Sequence, residues 1–465
     1  MATTDFSNLD FSTLGLSSEQ LTTLQGLGYS QMTAVQAESL PAILAGQDVI
    51  AQAKTGSGKT AAFGLGLIAK LEPSDFSVQA LVLCPTRELA EQVAEEIRRL
   101  ARNLPNIKVL TLCGGVPARA QIQSLEHGAH VIVGTPGRVL DHLGQNRIDL
   151  SSLKFLVLDE ADRMLDMGFA DDMKRIIQAT PAERQTLLFS ATFPAEISAI
   201  AKAFMQSPKH VEIEQATDAS LIEQFFYQVS NQNREDAVIQ LLLDRNPSNA
   251  ILFCNTKRSA NALYTLLRNY GFSVRPLHGD LEQREREQNL MLLNNGSVRI
   301  VVATDVAARG LDIKALDLVL NVEMAHDTET HIHRVGRTGR AGEKGLALTL
   351  LTSADDYKFS LLQEAMPALG DSRPLPKANA SSSKTPEPAA MATIQIMAGK
   401  KDKIRPGDIV GALTSTQQIS AEQVGKIAVQ AQVSYVAVEK NKAKQALNVL
   451  TQNKLKGRRC RAHLI

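Results

Sequence analysis

Two stretches of this 465-residue chain hold residue types that can do chemistry together. Ala53-Lys54-Thr55-Gly56-Ser57-Gly58-Lys59-Thr60 follows an apolar run and precedes a helical pattern. Gly56 and Gly58 free the backbone to turn its N–H groups onto a phosphate, with Thr55 and Ser57 completing the loop. Lys59 is placed to reach β- and γ-phosphate oxygens, and the Thr60 hydroxyl is a hard ligand for Mg2+. Downstream, Phe155-Leu156-Val157-Leu158 ends in Asp159-Glu160-Ala161-Asp162. Asp159 is suited to hold Mg2+ through water, and Glu160 to orient and deprotonate an attacking water. A phosphate cradle followed by strand-end acids is the layout of ATP hydrolysis. Alone, neither stretch would suffice. Ala53 replaces the usual first glycine, and a lone Asp-Glu is more often a helix cap or a surface ion pair.

Such residues need strands that end at one edge. Short apolar runs at 48–53, 80–85, 109–113, 130–134, 155–159 and 185–190 alternate with segments of helical period, such as Glu88–Leu100. That is the pattern of a doubly wound parallel sheet. After the polar stretch 206–221 it restarts, with runs at 250–254, 274–277, 299–304, 316–322 and 346–351. We therefore read two α/β domains, 1–209 and 215–368. Residues 369–391, rich in Pro, Ser and Ala, read as an extended, mobile linker. Residues 392–465 read βαββαβ, the order of an RNA-recognition-motif-like α+β module.

Net charge is +1, but it is unevenly spread. Residues 392–465 hold 13 Lys and Arg against 4 Asp and Glu, a net of +9, whereas the rest holds 37 against 45, a net of −8. A basic module on a mildly acidic body points to a polyanionic partner. No apolar run is long enough to span a bilayer, and MATTDFSNLD has no secretory signal pattern. Cys84, Cys113, Cys254 and Cys460 form no C-x-x-C pair, which argues against a zinc site or disulfide framework and for reduced thiols in a cytoplasm. No heptad pattern is legible, so a monomer is expected.

The remaining segments fall in an order that resembles the DEAD-box RNA helicases over nearly all of residues 1–365. Phe11, Gly28-Tyr29, Thr33 and Gln36 are similar to the Q motif. The resemblance implies that the Gln36 amide bonds an adenine edge, with Thr33 beside it and Tyr29 on the base. The family usually has Pro-Thr-Pro-Ile-Gln where this chain has Met32-Thr33-Ala34-Val35-Gln36. Pro85-Thr86-Arg87-Glu88-Leu89-Ala90, Gly114-Gly115 and Thr135-Pro136-Gly137-Arg138 resemble the RNA-contact segments, which implies RNA contacts for Pro85, Thr86, Arg87, Gly115, Thr135, Gly137 and Arg138. Ser190-Ala191-Thr192 resembles the segment that couples hydrolysis to strand separation by bonding Asp162.

In the second domain the resemblance rests on Phe253-Cys254-Asn255-Thr256, His278-Gly279-Asp280, Gln283 with Arg286, the run Ala303 to Asp312, and His333-Arg334-Val335-Gly336-Arg337-Thr338-Gly339-Arg340. It implies RNA contacts for Thr256, Gly279 and Thr304, ATP contacts for Gly310 and Asp312, and arginine fingers in Arg337 and Arg340. The implied fold is two tandem RecA-like domains and the implied cofactors are ATP and Mg2+. The implied mechanism divides one ATP site between the domains. ATP and RNA together close it, one strand is gripped and bent, and hydrolysis releases it.

Residues 392–465 resemble the RNA-binding domain of DbpA-type helicases through Ile404–Thr414, Gly425–Val429 and Ser434–Val438. That likeness implies a hairpin of large-subunit ribosomal RNA, and pre-ribosomal particles, as partners. The first strand has no aromatic and the third only Tyr435, so Lys403, Arg405, Lys426, Arg458 and Arg461 are expected to grip phosphates alongside Tyr435. Two other readings stand beside the enzyme: an ATP-gated RNA clamp or assembly scaffold with little turnover, and a DNA helicase. Glu160 with both arginine fingers disfavours the first, and the Q motif with the RNA-type tail disfavours the second.

Overall fold

The computed structural model describes residues 10–53, 56–213, 222–308, 316–339, 344–377, 385–415 and 417–465. They divide into two compact units, parting between Ile213 and Ile222. Thr55, Gly310, Asp312 and Arg340 lie outside the described residues.

The first unit is a seven-stranded parallel sheet. Its strands are β1 (Val49–Gln52), β2 (Ala80–Leu83), β3 (Val109–Leu112), β4 (Val131–Gly134), β5 (Phe155–Asp159), β6 (Gln185–Ser190) and β7 (Lys209–Glu212). The order is β3-β4-β2-β5-β6-β1-β7. Continuous apolar strands such as β2 (ALVL) are what a sheet covered on both faces requires, since both side-chain sets meet helices. One face buries Val82, Phe189 and Ala51 against Ile43, Phe63, Leu67 and Ile97. The other buries Leu81, Leu156 and Leu188 against Val139, Met164 and Ile176. Register places Gln52 beside Ser190 and Asp159 beside Phe189, so β1, β6 and β5 end side by side. That lateral order brings distant stretches of sequence to one edge.

The second unit holds a matching sheet of β8 (Ile222–Gln228), β9 (Ala250–Cys254), β10 (Val274–Leu277), β11 (Ile300–Thr304), β12 (Leu318–Asn321), β13 (Gly345–Leu351) and β14 (Arg373–Pro374), in the order β10-β11-β9-β12-β13-β8-β14. It also carries the tail, a four-stranded antiparallel sheet ordered β16-β17-β15-β18. These strands are β15 (Met391–Ile396), β16 (Val424–Val429), β17 (Ser434–Glu439) and β18 (Ala462–Leu464), with helices Pro406–Thr414 and Ala443–Gln452. Ile394, Ile396, Val436 and Val438 pack against Ile409, Leu413, Ala446 and Leu450. The observed order is the βαββαβ read from the sequence.

Several details differ from the sequence reading. β7 lies within the stretch taken as polar, because a strand at the sheet edge needs few apolar residues. β8 pairs with β13 although its polar residues mask the pattern. The sequence reads the last strand over 458–464, but it spans only Ala462–Leu464, because Lys456 and Gly457, at φ 47° and 81°, turn the chain between bridged Leu455 and Arg458. The described ends of the linker, 369–377 and 385–391, make contacts that its composition does not suggest. Arg373 pairs beside Tyr227 of β8 with its guanidinium 5.2 Å from the centroid of Phe225, and Gln240 Nε2 donates to Pro376 O at 2.6 Å. Arg299 Nη1 donates to Glu387 O at 3.1 Å.

Candidate active site

β1 leads into the phosphate loop. Gly56 and Gly58 take φ 87° and 95°, the left-handed region where glycine is unstrained. Helix Lys59–Ile68 starts at once, so its N-terminal N–H groups and positive dipole end face the loop. Lys59 is 6% exposed and its Nζ donates to Ala53 O at 2.8 Å. Thr60 follows in the first helical turn. Gln36 is buried, with Oε1 accepting from Thr33 N at 2.9 Å and Nε2 donating to Gly58 O at 3.1 Å. A Cβ on Gly58 would lie 2.6 Å from Gln36 Nε2 and 2.9 Å from Thr33 Oγ1, so the two segments are packed tightly together. The Tyr29 hydroxyl donates to Glu96 Oε1 at 2.6 Å, and the ring meets Phe11 edge-on. Burial and that carboxylate push the phenol well above its ordinary range.

Asp159 ends β5, 3% exposed, with Oδ1 making no hydrogen bond among the described residues. Burial is the main cause that pushes its carboxyl up to about 7, against the lowering pull of Lys59. Glu160 follows at φ 52° and ψ 53°, a conformation that costs a non-glycine residue about 1 kcal/mol or more. This kink turns the chain from strand to helix Ala161–Asp166 within one residue.

Asp162, 2% exposed, fastens β5 to β6. Its Oδ2 accepts from Ala191 N at 3.2 Å, Thr192 N at 3.0 Å and Thr192 Oγ1 at 3.0 Å. Ser190 Oγ accepts from Asp162 N at 3.3 Å. The structure thus brings together Lys59, Asp159, Glu160, Asp162, Ser190 and Thr192 at the ends of three neighbouring strands. The RNA-contact candidates of this unit follow the other strand ends. Pro85, Thr86 and Arg87 lie at the end of β2, where Thr86 Oγ1 caps helix Arg87–Leu100 by accepting from Leu89 N at 3.3 Å. Gly115 follows β3 at φ 74°. Thr135, Gly137 and Arg138 follow β4, and Arg138 Nη2 donates to Val116 O at 3.2 Å.

In the second unit Thr256 caps helix Lys257–Tyr270, accepting from Ser259 N at 3.0 Å. Gly279 follows β10 and Thr304 ends β11. Arg337 is 6% exposed. Sequence reasoning gave no role to Arg334, yet it is the hub here. It is 2% exposed, donates to Asp305 through Nε at 2.6 Å and Nη2 at 2.7 Å, and also reaches Asn255 Oδ1 at 2.6 Å and Glu323 O at 2.7 Å. One guanidinium therefore joins the ends of β9, β11 and β12 with the helix that leads to Arg337. The signal was only that Arg334 shares a run with Arg337, because its partners are scattered along the chain.

Profiles of protein families match three stretches: DEAD/DEAH box helicase over residues 33–200, helicase conserved C-terminal domain over 233–342, and DbpA RNA binding domain over 393–464. The chain is 52% identical to the ATP-dependent RNA helicase DbpA of Escherichia coli, over 98% of this chain and 99% of that one. This chain belongs to the DEAD-box ATP-dependent RNA helicases, of the DbpA type. It is also 43% identical to the DEAD-box ATP-dependent RNA helicase CshA of Bacillus subtilis, over 77% of this chain and 72% of that one. Among solved structures it resembles S. cerevisiae Dbp5 bound to RNA and ADP BeF3, with TM-score 0.72 and 31% identity over 79% of this chain and 95% of that one.

The helicase's tail presents two different surfaces. Lys400, Lys401, Lys403, Arg405, Arg458, Arg459 and Arg461 are exposed. Lys456 Nζ donates to Lys403 O at 2.7 Å and Arg458 pairs with Asp402 at 3.4 Å, so two loops form one basic edge. On the open face of the sheet the two central strands, β15 and β17, are instead covered. Thr393 is fully buried and its hydroxyl bonds Asn295 Nδ2 and Ser297 Oγ of the second motor domain, each at 2.8 Å. Gln395, Ala437 and Tyr435 of the same face are also buried. Tyr435, expected from the sequence as an RNA contact, is 3% exposed, so its ring is not open to a base. Lys426, likewise expected on RNA, donates its ammonium to Asn294 O.

Proposed function

We propose that this helicase hydrolyses ATP with Mg2+, separates RNA strands locally, and is directed by its tail to a hairpin of large-subunit ribosomal RNA in pre-ribosomal particles. The DbpA RNA binding domain over residues 393–464 carries the targeting part of this reading, and the basic edge of the tail supplies a surface for phosphates.

The donor set fits Mg2+. Asp159 is a buried carboxylate with one oxygen lacking a hydrogen-bond partner among the described residues and a pKa raised chiefly by burial, which is what a hard cation would offset. Asp159 and the Thr60 hydroxyl would hold the ion, whose bound charge would offset that of the phosphate oxygens. Lys59 binds those oxygens, Glu160 accepts the proton of the attacking water, and Arg337 and Arg340 bring positive charge to the γ-phosphate. Gln36 selects adenine with Thr33 and Tyr29, and Gly310 and Asp312 complete the nucleotide contacts.

We further propose a cytoplasmic monomer. No helix among the described residues is long and apolar enough to cross a membrane, and Cys84, Cys113 and Cys254 are buried thiols. The deciding measurement is the steady-state ATPase rate with no nucleic acid, with random RNA and with large-subunit ribosomal RNA. Stimulation by ribosomal RNA far above that by random RNA is expected. Equal stimulation by both would remove the targeting, and none by either would remove RNA coupling.

A further inference from the structure

We infer that Gln121 is a positioning residue that sets two RNA-contact loops of the first motor domain in register. β3 and β4 run parallel, with Leu112 beside Gly134, and the last backbone bond between them is Thr135 N to Leu112 O at 3.0 Å. Beyond it the chains diverge. One passes through Cys113, Gly114, Gly115 and Val116 into helix Ala118–Leu125, the other through Thr135 into helix Pro136–Gly144. The backbone ladder cannot fix their spacing past this point, and Gly115 at φ 74° adds no side chain to do so.

Gln121 spans the gap. It is 9% exposed, and its Nε2 donates to Cys113 O at 2.9 Å. Its Oε1 accepts from Arg138 Nη1 at 3.1 Å and from His142 Nε2 at 2.9 Å. Arg138 Nη2 closes the circuit on Val116 O at 3.2 Å. The amide orientation is forced, because a carbonyl only accepts and a guanidinium only donates. His142 is fully buried and burial lowers its pKa, so a neutral ring presents Nε2–H to the amide oxygen. A side chain here must give a proton to one loop and take two from the other helix. Glutamate lacks the donor and leucine lacks both. The joined segments contain Gly115, Thr135, Gly137 and Arg138, all proposed RNA contacts, and none of the nucleotide contacts.

The inference rests on the reading of those loops as RNA contacts, and the test separates the two. Full-length Gln121→Leu and Gln121→Glu are compared with Thr135→Ala for the RNA concentration giving half-maximal ATPase, for RNA-free ATP affinity, and for thermal melting. Gln121→Leu is expected to raise the half-activating RNA concentration about tenfold, the effect of roughly 1.4 kcal/mol. Gln121→Glu, which keeps the acceptor for Arg138 and His142 and safeguards folding, is expected to give a smaller rise. ATP affinity should stay at the wild-type value in both variants, with melting lowered by a few degrees in Gln121→Leu, which leaves buried groups unpaired, and less in Gln121→Glu. An unchanged RNA requirement in both Gln121 variants, with Thr135→Ala weakened, overturns the inference alone. No change in any of the three overturns the loop reading and the inference with it. Parallel losses of ATP affinity and melting temperature would show a merely structural role and also overturn it.

Discussion

Thr192→Val tests whether the Asp162 clasp transmits hydrolysis to strand separation. Valine keeps the shape of threonine and removes one of the three donors to Asp162 Oδ2, the hydroxyl at 3.0 Å. The two backbone N–H groups of Ala191 and Thr192 remain, at 3.2 and 3.0 Å. A hydrogen bond to a charged acceptor contributes about 1.5–3 kcal/mol. Thr192 is partly exposed, so water can replace some of it and the lower end applies. About 1.5 kcal/mol corresponds to roughly a tenfold loss in the step that uses the contact. The assay pairs RNA-stimulated phosphate release with displacement of a labelled strand from a short duplex, in one buffer at one enzyme concentration. Strands displaced per ATP should fall about tenfold while ATP turnover changes little. If both rates fall in proportion, the clasp serves the hydrolytic site. If neither changes, the contact is idle in the cycle. Either result refutes the coupling argument.

Glu160→Gln should lower ATP turnover by about a hundredfold or more, the contribution of a positioned base, while ATP-dependent RNA binding persists; a variant that kept strand separation in full would favour the scaffold reading. His331 is buried beside Arg334, and burial first, then that guanidinium, holds its pKa down to about 4. The unfolded chain takes up this proton first, so His331 contributes full stability above pH 6.5 and loses it as pH falls towards 4, about 3 kcal/mol in all. Corrected for the slowing of intrinsic exchange towards acid, amide exchange of β12 and β13 should therefore show an excess of opening at pH 5 over pH 7.5. His331→Gln, which can still donate to Gln224, should abolish that excess, and an unchanged pH dependence would contradict the assignment. Arg299→Ala removes the bonds to Glu387 and to Asn246 and Pro247, and should expose residues 385–391 to protease several-fold faster, read by mass spectrometry of the fragments.

The ATP site was legible because its residues sit in contiguous stretches where type and backbone are specified together. Gly56, Gly58 and Lys59 announce a phosphate cradle before any fold is known. Apolar runs likewise announced eleven of the parallel strands. What escaped was set by partners far away in sequence. Gln121 reads as an ordinary helical glutamine until Cys113, Arg138 and His142 surround it. Arg334 reads as one more arginine of a basic run until Asp305, Asn255 and Glu323 converge on it. The tail shows the same limit in another form. Alternation puts Thr393, Gln395, Tyr435 and Ala437 on the open face of a sheet but does not tell what covers that face. At the ends of the linker, Arg373 and Glu387 are held by contacts that no Pro/Ser/Ala count reveals.

The docking of Thr393 on Asn295 and Ser297 bears on how such helicases can be re-engineered. A recognition module on a loose tether could be exchanged like an attachment. Here the module shares hydrogen bonds with the loop after helix Gln283–Asn294, and Arg299 anchors the segment that leads to it. A foreign tail grafted at residue 391 would inherit none of these matches and would swing on its tether. Retargeting this enzyme therefore means transplanting the 294–299 loop together with the tail, as one heritable cassette.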